Sequence, residues 1–223
     1  MAPSDVAVKE PPTKANSEQI VNDFSIEVAT VNGSGSQTAN LVLLRSIFGM
    51  GIPVSGKNMF PSNIAGLPTW FTIRANGDGY VARKKEIDFL VAMNPETARE
   101  DALSLKSNSV VVYDEPLNLS TLRDDLVFYP VPFDKLVAGV CREPKLRRLV
   151  RNMIYDGVLG QLLDIDRRGM EQALEKQLGR KPKAVALNQQ ALDVGFQYAE
   201  QHFDKEHPYR VAPLDKTAGK ILI

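Results

Sequence analysis

Two stretches of this chain carry residue types that could do chemistry. The first is Val31-Asn32-Gly33-Ser34-Gly35-Ser36-Gln37-Thr38-Ala39-Asn40. Glycines let a chain turn tightly and bring backbone N–H groups close to a ligand. A helix starting directly after such a turn adds partial positive charge, which suits a phosphate or a carboxylate. Gly33, Ser34, Gly35, Ser36 and Gln37 are therefore candidate cofactor-binding residues. The pattern stops short of a dinucleotide fingerprint. In a G-x-G-x-x-G register Thr38 stands at the third glycine, and no acidic residue follows Val54 to hold a ribose hydroxyl. There is no Gly-Lys-Ser/Thr phosphate loop either. A tight strand-to-helix turn with no ligand satisfies the same residues.

The second stretch runs from Gly56 to Trp70, GKNMFPSNIAGLPTW. It mixes Phe60, Ile64 and Leu67 with amides and glycine, and loops of that composition tend to meet ligands or partners. The alternative is a loop that folds back over its own apolar groups. Lys57 is its only cation, able to pair with an anion or to stand solvated. Lys57, Asn58, Phe60, Pro61, Ser62, Asn63, Gly66, Pro68 and Thr69 are the candidate substrate or partner contacts.

Nothing else assembles a catalytic set. Lys145, Arg147, Arg148 and Arg151 surround the apolar face of one helix and read as its wet side. Glu86 and Asp88 have no histidine or metal-ligand spacing beside them, so a strand-end solvation role is expected. Cys141 lies next to Arg142 but reads as packing. One cysteine forms no internal disulfide and supplies neither a four-thiolate cluster nor a cysteine-based zinc site. His202 and His207 need help from elsewhere to bind a metal. No catalytic and no metal-binding residue is assigned.

These candidates need elements to hold them. The chain has 223 residues, 43% hydrophobic and 24% charged, with zero formal net charge. That is ordinary soluble globular composition, with no field to draw nucleic acid or an anionic membrane. No apolar run approaches the roughly 20 residues of a membrane span, and the N-terminus lacks a secretory pattern. A cytoplasmic protein is expected. Residues 1–24 read as a flexible tail, 25–210 as the domain and 211–223 as a linker.

Order is expected to begin at Ser25–Val31, a β-branched strand, followed by a buried helix over Gln37–Gly49. Ile52–Val54 reads as a short strand and Ser55–Leu67 as loop. Thr69–Arg74 is a strand that turns at Asn76–Gly79 into a hairpin with Tyr80–Ala82. Ile87–Met93, Ser109–Tyr113 and Leu126–Tyr129 are buried strands, and Asn94-Pro95 caps a helix. Leu146, Leu149, Val150, Met153, Ile154 and Val158 share one helical face; further helices cover Met170–Leu178 and Pro182–Phe203. The fold class is α/β: a three-layer Rossmann-like domain with a mostly parallel, mixed sheet and a C-terminal helical layer. The final Lys220-Ile221-Leu222-Ile223 looks like a strand cut short, a hint that the natural polypeptide continues.

Gly33–Gln37, Met50-Gly51-Ile52-Pro53-Val54-Ser55-Gly56-Lys57-Asn58-Met59-Phe60-Pro61-Ser62-Asn63-Ile64 and Gly66-Leu67-Pro68-Thr69-Trp70 together resemble the gamma-type domain of 2-oxoacid:ferredoxin oxidoreductases. The similarity is greatest to the form fused ahead of the alpha-type domain in 2-oxoglutarate synthases. The resemblance implies oxidative decarboxylation of a 2-oxoacid to an acyl-CoA, with electrons passed to ferredoxin. It implies thiamine diphosphate, magnesium and an iron–sulfur cluster on alpha- and beta-type partners, and a gamma-type domain that packs over the active site and helps enclose coenzyme A. The alpha-type domain is expected after residue 223 and the isolated chain to be inactive. Family loops often read Gly-Gly-Gln-Gly, whereas here Ser34, Ser36 and Thr38 flank Gly35 and Gln37. Two other readings stay open: an independent nucleotide-binding oxidoreductase, and an assembly module that binds no small molecule.

Overall fold

The computed structural model describes residues 18–60, 64–179 and 181–222. A six-stranded sheet runs in the order β3 (Val54–Met59), β4 (Pro68–Asn76), β2 (Asp23–Val31), β5 (Phe89–Ala92), β6 (Val110–Asp114) and β7 (Val127–Val131). Only β4 runs antiparallel to its neighbours. The helices are α1 (Ser36–Gly49), α2 (Ala98–Leu103), α3 (Phe133–Val140), α4 (Pro144–Leu163), α5 (Arg167–Leu178) and α6 (Pro182–His202). A two-residue ladder joins β1 (Ile20–Val21) to β8 (Tyr209–Arg210).

Alternation along the strands fixes which layer covers each face. Phe24, Ile26 and Val28 of β2 point into a core built with α1, α4, α5 and α6. Ala29, Leu90, Val111 and Tyr113 point the other way, under α2. One face is therefore thickly covered and the other thinly, which gives three layers and the expected C-terminal helical layer. At the closest helix contact, a Cβ on Gly195 would lie 2.2 Å from the Ile154 carbonyl oxygen, and one on Gly157 2.1 Å from that of Leu192.

Several expectations need correction. Tyr80–Ala82 is not a strand, because β2 and β3 already occupy both edges of β4. The antiparallel element is β4 itself. Ser55–Met59 is strand where loop was expected, and of the short strand read at Ile52–Val54 only Val54 pairs: SGKNM has weak β propensity, and pairing with β4 overrides it. Gly56 fits there because a Cβ would meet Phe71 at 2.8 Å and Leu44 at 2.9 Å. Asn94 opens a turn by accepting from the Glu96 N–H, but the helix starts only at Ala98. α3 was not anticipated. Leu146 and Leu149 are 36% and 45% exposed, so the buried face of α4 begins a turn later, at Val150.

The expected tail and linker pack onto the domain within the described residues. Buried Asn22 donates to the Ala212 carbonyl and accepts from its N–H. Leu214 N–H donates to the Met50 carbonyl, and Thr217 to that of Phe48. Asp88, expected at a solvated strand end, is buried and accepts from Ser25 N–H (2.7 Å), the Tyr209 hydroxyl (2.9 Å) and Lys106 (2.5 Å). His207 is also buried; its surroundings and nearby Lys205 hold its pKa down to about 4. Cys141 is buried, and Arg151 bridges Asp134 and Asp114. Residues 1–17, 61–63, 180 and 223 lie outside the described residues. Among the described residues no helix is long and apolar enough to cross a membrane.

Candidate functional site

β2 sends its connection to one side of the sheet, through α1 to β3, while β5 lies on its other side. In open α/β sheets, the crevice outside the strand carboxyl ends at such a switch point is where ligands bind. The glycine turn sits there. Gly33 and Gly35 have φ of +83° and +85°, left-handed values costly for any residue with a Cβ. Gly35 begins α1, and no side chain caps the helix. The Thr38 N–H turns back to the Gly35 carbonyl at 3.3 Å, while those of Ser36 and Gln37 keep their hydrogen-bonding capacity at the positive end of the dipole.

α4 braces this turn from behind. Asn152 donates to the Ser34 carbonyl at 2.9 Å, and the Tyr155 hydroxyl donates to Asn40 Oδ1 at 2.8 Å. Thr30 and Ser36 share a hydroxyl hydrogen bond of 2.9 Å. Burial, then the neighbouring Asp156, raises the pKa of Tyr155 well above its ordinary value, so it stays a phenol donor.

Asn32 ties the glycine turn to the β3–β4 connection. Its N–H donates to the Leu67 carbonyl (2.8 Å), its carbonyl accepts from Gly66 N–H (3.0 Å), and its amide donates to the Ile64 carbonyl (3.0 Å). Asn58 donates to Gln37 Oε1 at 2.9 Å, a second tie between β3 and α1. The two stretches singled out from sequence consequently enclose one cleft of about 330 Å³. Gly33, Gly35, Ser36 and Gln37 line it from the turn, and Asn58, Phe60 and Thr69 from the other segment.

Other candidates fall outside. Ser34 is buried with its hydroxyl unpartnered and its carbonyl taken by Asn152. Lys57 opens instead onto a shallow outer hollow with Phe60 and Trp70. Gly66 and Pro68 shape the loop: one bonds to Asn32, and the other starts β4 opposite Val31. Pro61, Ser62 and Asn63 are among the residues not described.

Thr30, Asn32, Asn40, Trp70 and Phe71 also line the cleft, although only Gly33–Gln37 and the Lys57–Thr69 contacts were expected. Asn40 had a visible signal, a lone amide in an apolar helical run. Asn152 and Tyr155 had none, being more than 100 residues from what they hold. Every residue lining the cleft is neutral. Hydroxyls, amides, backbone N–H groups and three aromatic rings can bind and orient a polar or anionic group; they offer no nucleophile–base pair. Among the described residues no group of three His, Cys, Asp or Glu side chains could hold a metal ion.

The family model for pyruvate ferredoxin/flavodoxin oxidoreductase matches residues 25–198. The 2-oxoglutarate:ferredoxin oxidoreductase of Magnetococcus marinus, solved with 2-oxoglutarate, coenzyme A and succinyl-CoA bound, superposes with a TM-score of 0.77 at 24% identity. That match covers 87% of this chain but 34% of the other, so this chain spans about a third of that relative's length. The gamma subunit of a keto/oxoacid ferredoxin oxidoreductase from Geobacter sulfurreducens matches with a TM-score of 0.64 at 19% identity, over 80% of this chain and 99% of that one. For pyruvate oxidoreductase subunit PORC of Thermotoga maritima the values are 0.62 and 15%, over 79% and 96%. At these identities the likeness establishes the α/β fold. No curated protein matches the chain.

Proposed function

We propose a role for this chain on the premise that it belongs to the pyruvate ferredoxin/flavodoxin oxidoreductase family: it is the gamma-type domain of a 2-oxoacid:ferredoxin oxidoreductase, and it binds coenzyme A. The observation that carries the reading is the neutral cleft at the sheet's switch point, closed by two loops that the sequence keeps apart. Such a cleft can hold a phosphorylated co-substrate through α1 N–H groups, the Gln37 and Asn58 amides and the rings of Phe60 and Trp70. It has no groups to break a carbon–carbon bond.

Decarboxylation accordingly belongs to partner domains in this reading. Thiamine diphosphate supplies the electron sink for that step when bound, and magnesium and an iron–sulfur cluster accompany it there. This chain does not fit them, since its one cysteine is buried in the core and no metal-ligating cluster occurs among the described residues. What it does is present coenzyme A, orient it and exclude water from one side. Similarity to the Magnetococcus marinus enzyme, solved with 2-oxoglutarate bound, supports 2-oxoglutarate as the 2-oxoacid; an alpha-type domain, a beta subunit and ferredoxin are the partners this reading assigns.

Isothermal titration of the chain with coenzyme A and with NAD(P)H tests this. Coenzyme A binding that is lost in Gly35→Val, with no NAD(P)H binding, is the expected result. Tight NAD(P)H binding overturns it in favour of an independent nucleotide-dependent oxidoreductase. No binding of either compound, by the chain or by the reconstituted complex, leaves an assembly module.

A further inference from the structure

Two larger hollows lie on opposite faces of the sheet. A second cleft of about 540 Å³, between β2, β4, α2 and the Arg83–Ile87 segment, lies on the α2 face. A groove of about 490 Å³ lies between α1, β3 and the C-terminal segment Lys220–Leu222.

The groove shares its face with the glycine-turn cleft. Strand alternation puts Val54, Gly56 and Asn58 of β3 on the α1 side: Val54 packs in the core with α1, a Cβ on Gly56 would meet Leu44, and Asn58 bonds Gln37. Gln37, Asn58 and Phe71 line both hollows, and the exposed Gln37–Asn58 hydrogen bond of 2.9 Å marks the boundary between them. From there the groove follows α1. Gln37, Leu41, Leu44 and Phe48 stand at i, i+4, i+7 and i+11, one stripe from the helix's first turn to its last. At about 1.5 Å per residue this is a channel of roughly 16 Å. The Thr217 hydroxyl donates to the Phe48 carbonyl and anchors the far wall, from which Lys220 lines the groove. Lys220 has no ion-pair partner among the described residues.

Size and charge both call for such an extension. Every residue lining the glycine-turn cleft is neutral, and its volume of about 330 Å³ is at the lower end of the roughly 300–1,000 Å³ that encloses a drug-sized ligand. Coenzyme A is longer than that and carries a 3′-phosphate besides its diphosphate. The N-terminus of α1 can take one anionic group; the other needs a cation. The thiol has to stay at the open carboxyl edge, toward the thiamine-bearing partner, so the adenosine end is the one free to run down the groove.

We propose that the groove is the adenosine subsite of the glycine-turn cleft: the adenine rests on the apolar stripe of α1, and Lys220 pairs with the 3′-phosphate. This rests on the reading of that cleft as the coenzyme A site, and it brings into the site a segment expected to be only a linker.

The test is isothermal titration of the full chain with three compounds: coenzyme A, dephospho-coenzyme A, which lacks only the 3′-phosphate, and 4′-phosphopantetheine, which lacks the adenosine end. Lys220→Ala weakens coenzyme A about threefold to fivefold, the upper range of one exposed ion pair, and leaves dephospho-coenzyme A unchanged. Lys220→Arg keeps wild-type affinity for both. Leu41→Trp, which fills the groove, weakens coenzyme A and dephospho-coenzyme A but not 4′-phosphopantetheine.

Equal affinities of wild type and Lys220→Ala for coenzyme A overturn the proposal, as does an equal loss for dephospho-coenzyme A, which would put Lys220 away from the 3′-phosphate. Should Leu41→Trp fail to fold, the Lys220 variants decide alone. Coenzyme A binding by wild type that neither substitution changes refutes the groove and keeps the cleft. No binding of any of the three compounds refutes both.

Discussion

The glycines of the β2–α1 turn and those of the α4–α6 contact are one residue type put to two uses. In the turn, a Cβ on Gly33 would meet only Ala65, at 3.7 Å; glycine is there for its backbone angle and for the room it leaves. Between α4 and α6, Gly157 and Gly195 lie against each other's backbones, with no room for a methyl group. The helical half is closed and spends its glycines on contact. The sheet's carboxyl edge is open at Gly33, while Gly35 needs glycine for its left-handed backbone and for its close contact with the Leu149 side chain. That contrast sets the proposed binding surface at the edge against a helical half packed for stability.

Four substitutions break or sharpen the comparison. Gly195→Val comes first, because a side chain there strikes backbone that cannot give. Urea denaturation should show a loss of more than about 4 kcal/mol, or no folded protein at all. A mild loss would mean that the helices can separate.

Asp156→Asn is next. Asp156 is fully buried in α4 with neither carboxyl oxygen partnered, and burial raises its pKa well above 3.8. In the unfolded chain it ionises near 3.8, so above that pH the unfolded state holds fewer protons and stability falls until pH reaches the folded pKa. Asparagine keeps a similar shape and removes the ionisation. Wild type and variant should unfold alike near pH 4, and the variant should be the more stable at pH 8. Parallel pH profiles would contradict a buried neutral carboxyl.

Gly35→Ala tests the open edge. The left-handed backbone costs about 1–2 kcal/mol, and the Leu149 tip, 2.6 Å from the new Cβ, must move. The chain should still fold, and calorimetry should show coenzyme A weakened by far more than stability is. A loss as large as that of Gly195→Val would erase the distinction between the two regions. The smallest effect on stability belongs to Asn58→Ala, which removes an exposed hydrogen bond to Gln37. About 0.5 kcal/mol of stability is at stake, so a changed coenzyme A affinity would stand out clearly.

The same contrast governs what could be read from sequence. Amphipathic period placed α4, α5 and α6 to within a few residues, because each buries a continuous stripe. It overshot at Leu146 and Leu149, since period marks a face and not where the covering layer ends. Most of β3 was hidden: Ser55–Met59 owes its strand to β4, and no local propensity in Ser55-Gly56-Lys57-Asn58 announces it. At the site, the glycine turn and the Lys57–Thr69 segment were both legible by composition. Their meeting was not, since it depends on Asn32 clasping Ile64, Gly66 and Leu67 and on Asn152 reaching Ser34 across the core.

The central claim is that these two segments form one coenzyme A cleft. Hydrogen–deuterium exchange of the chain with and without coenzyme A tests it most directly. Slowed exchange at the amides of 33–37, Asn58, Phe60 and Thr69, with α4 and α6 unchanged, is the predicted result. Protection at the second cleft, around Arg83–Ile87 and α2, with none at the glycine turn, would contradict it.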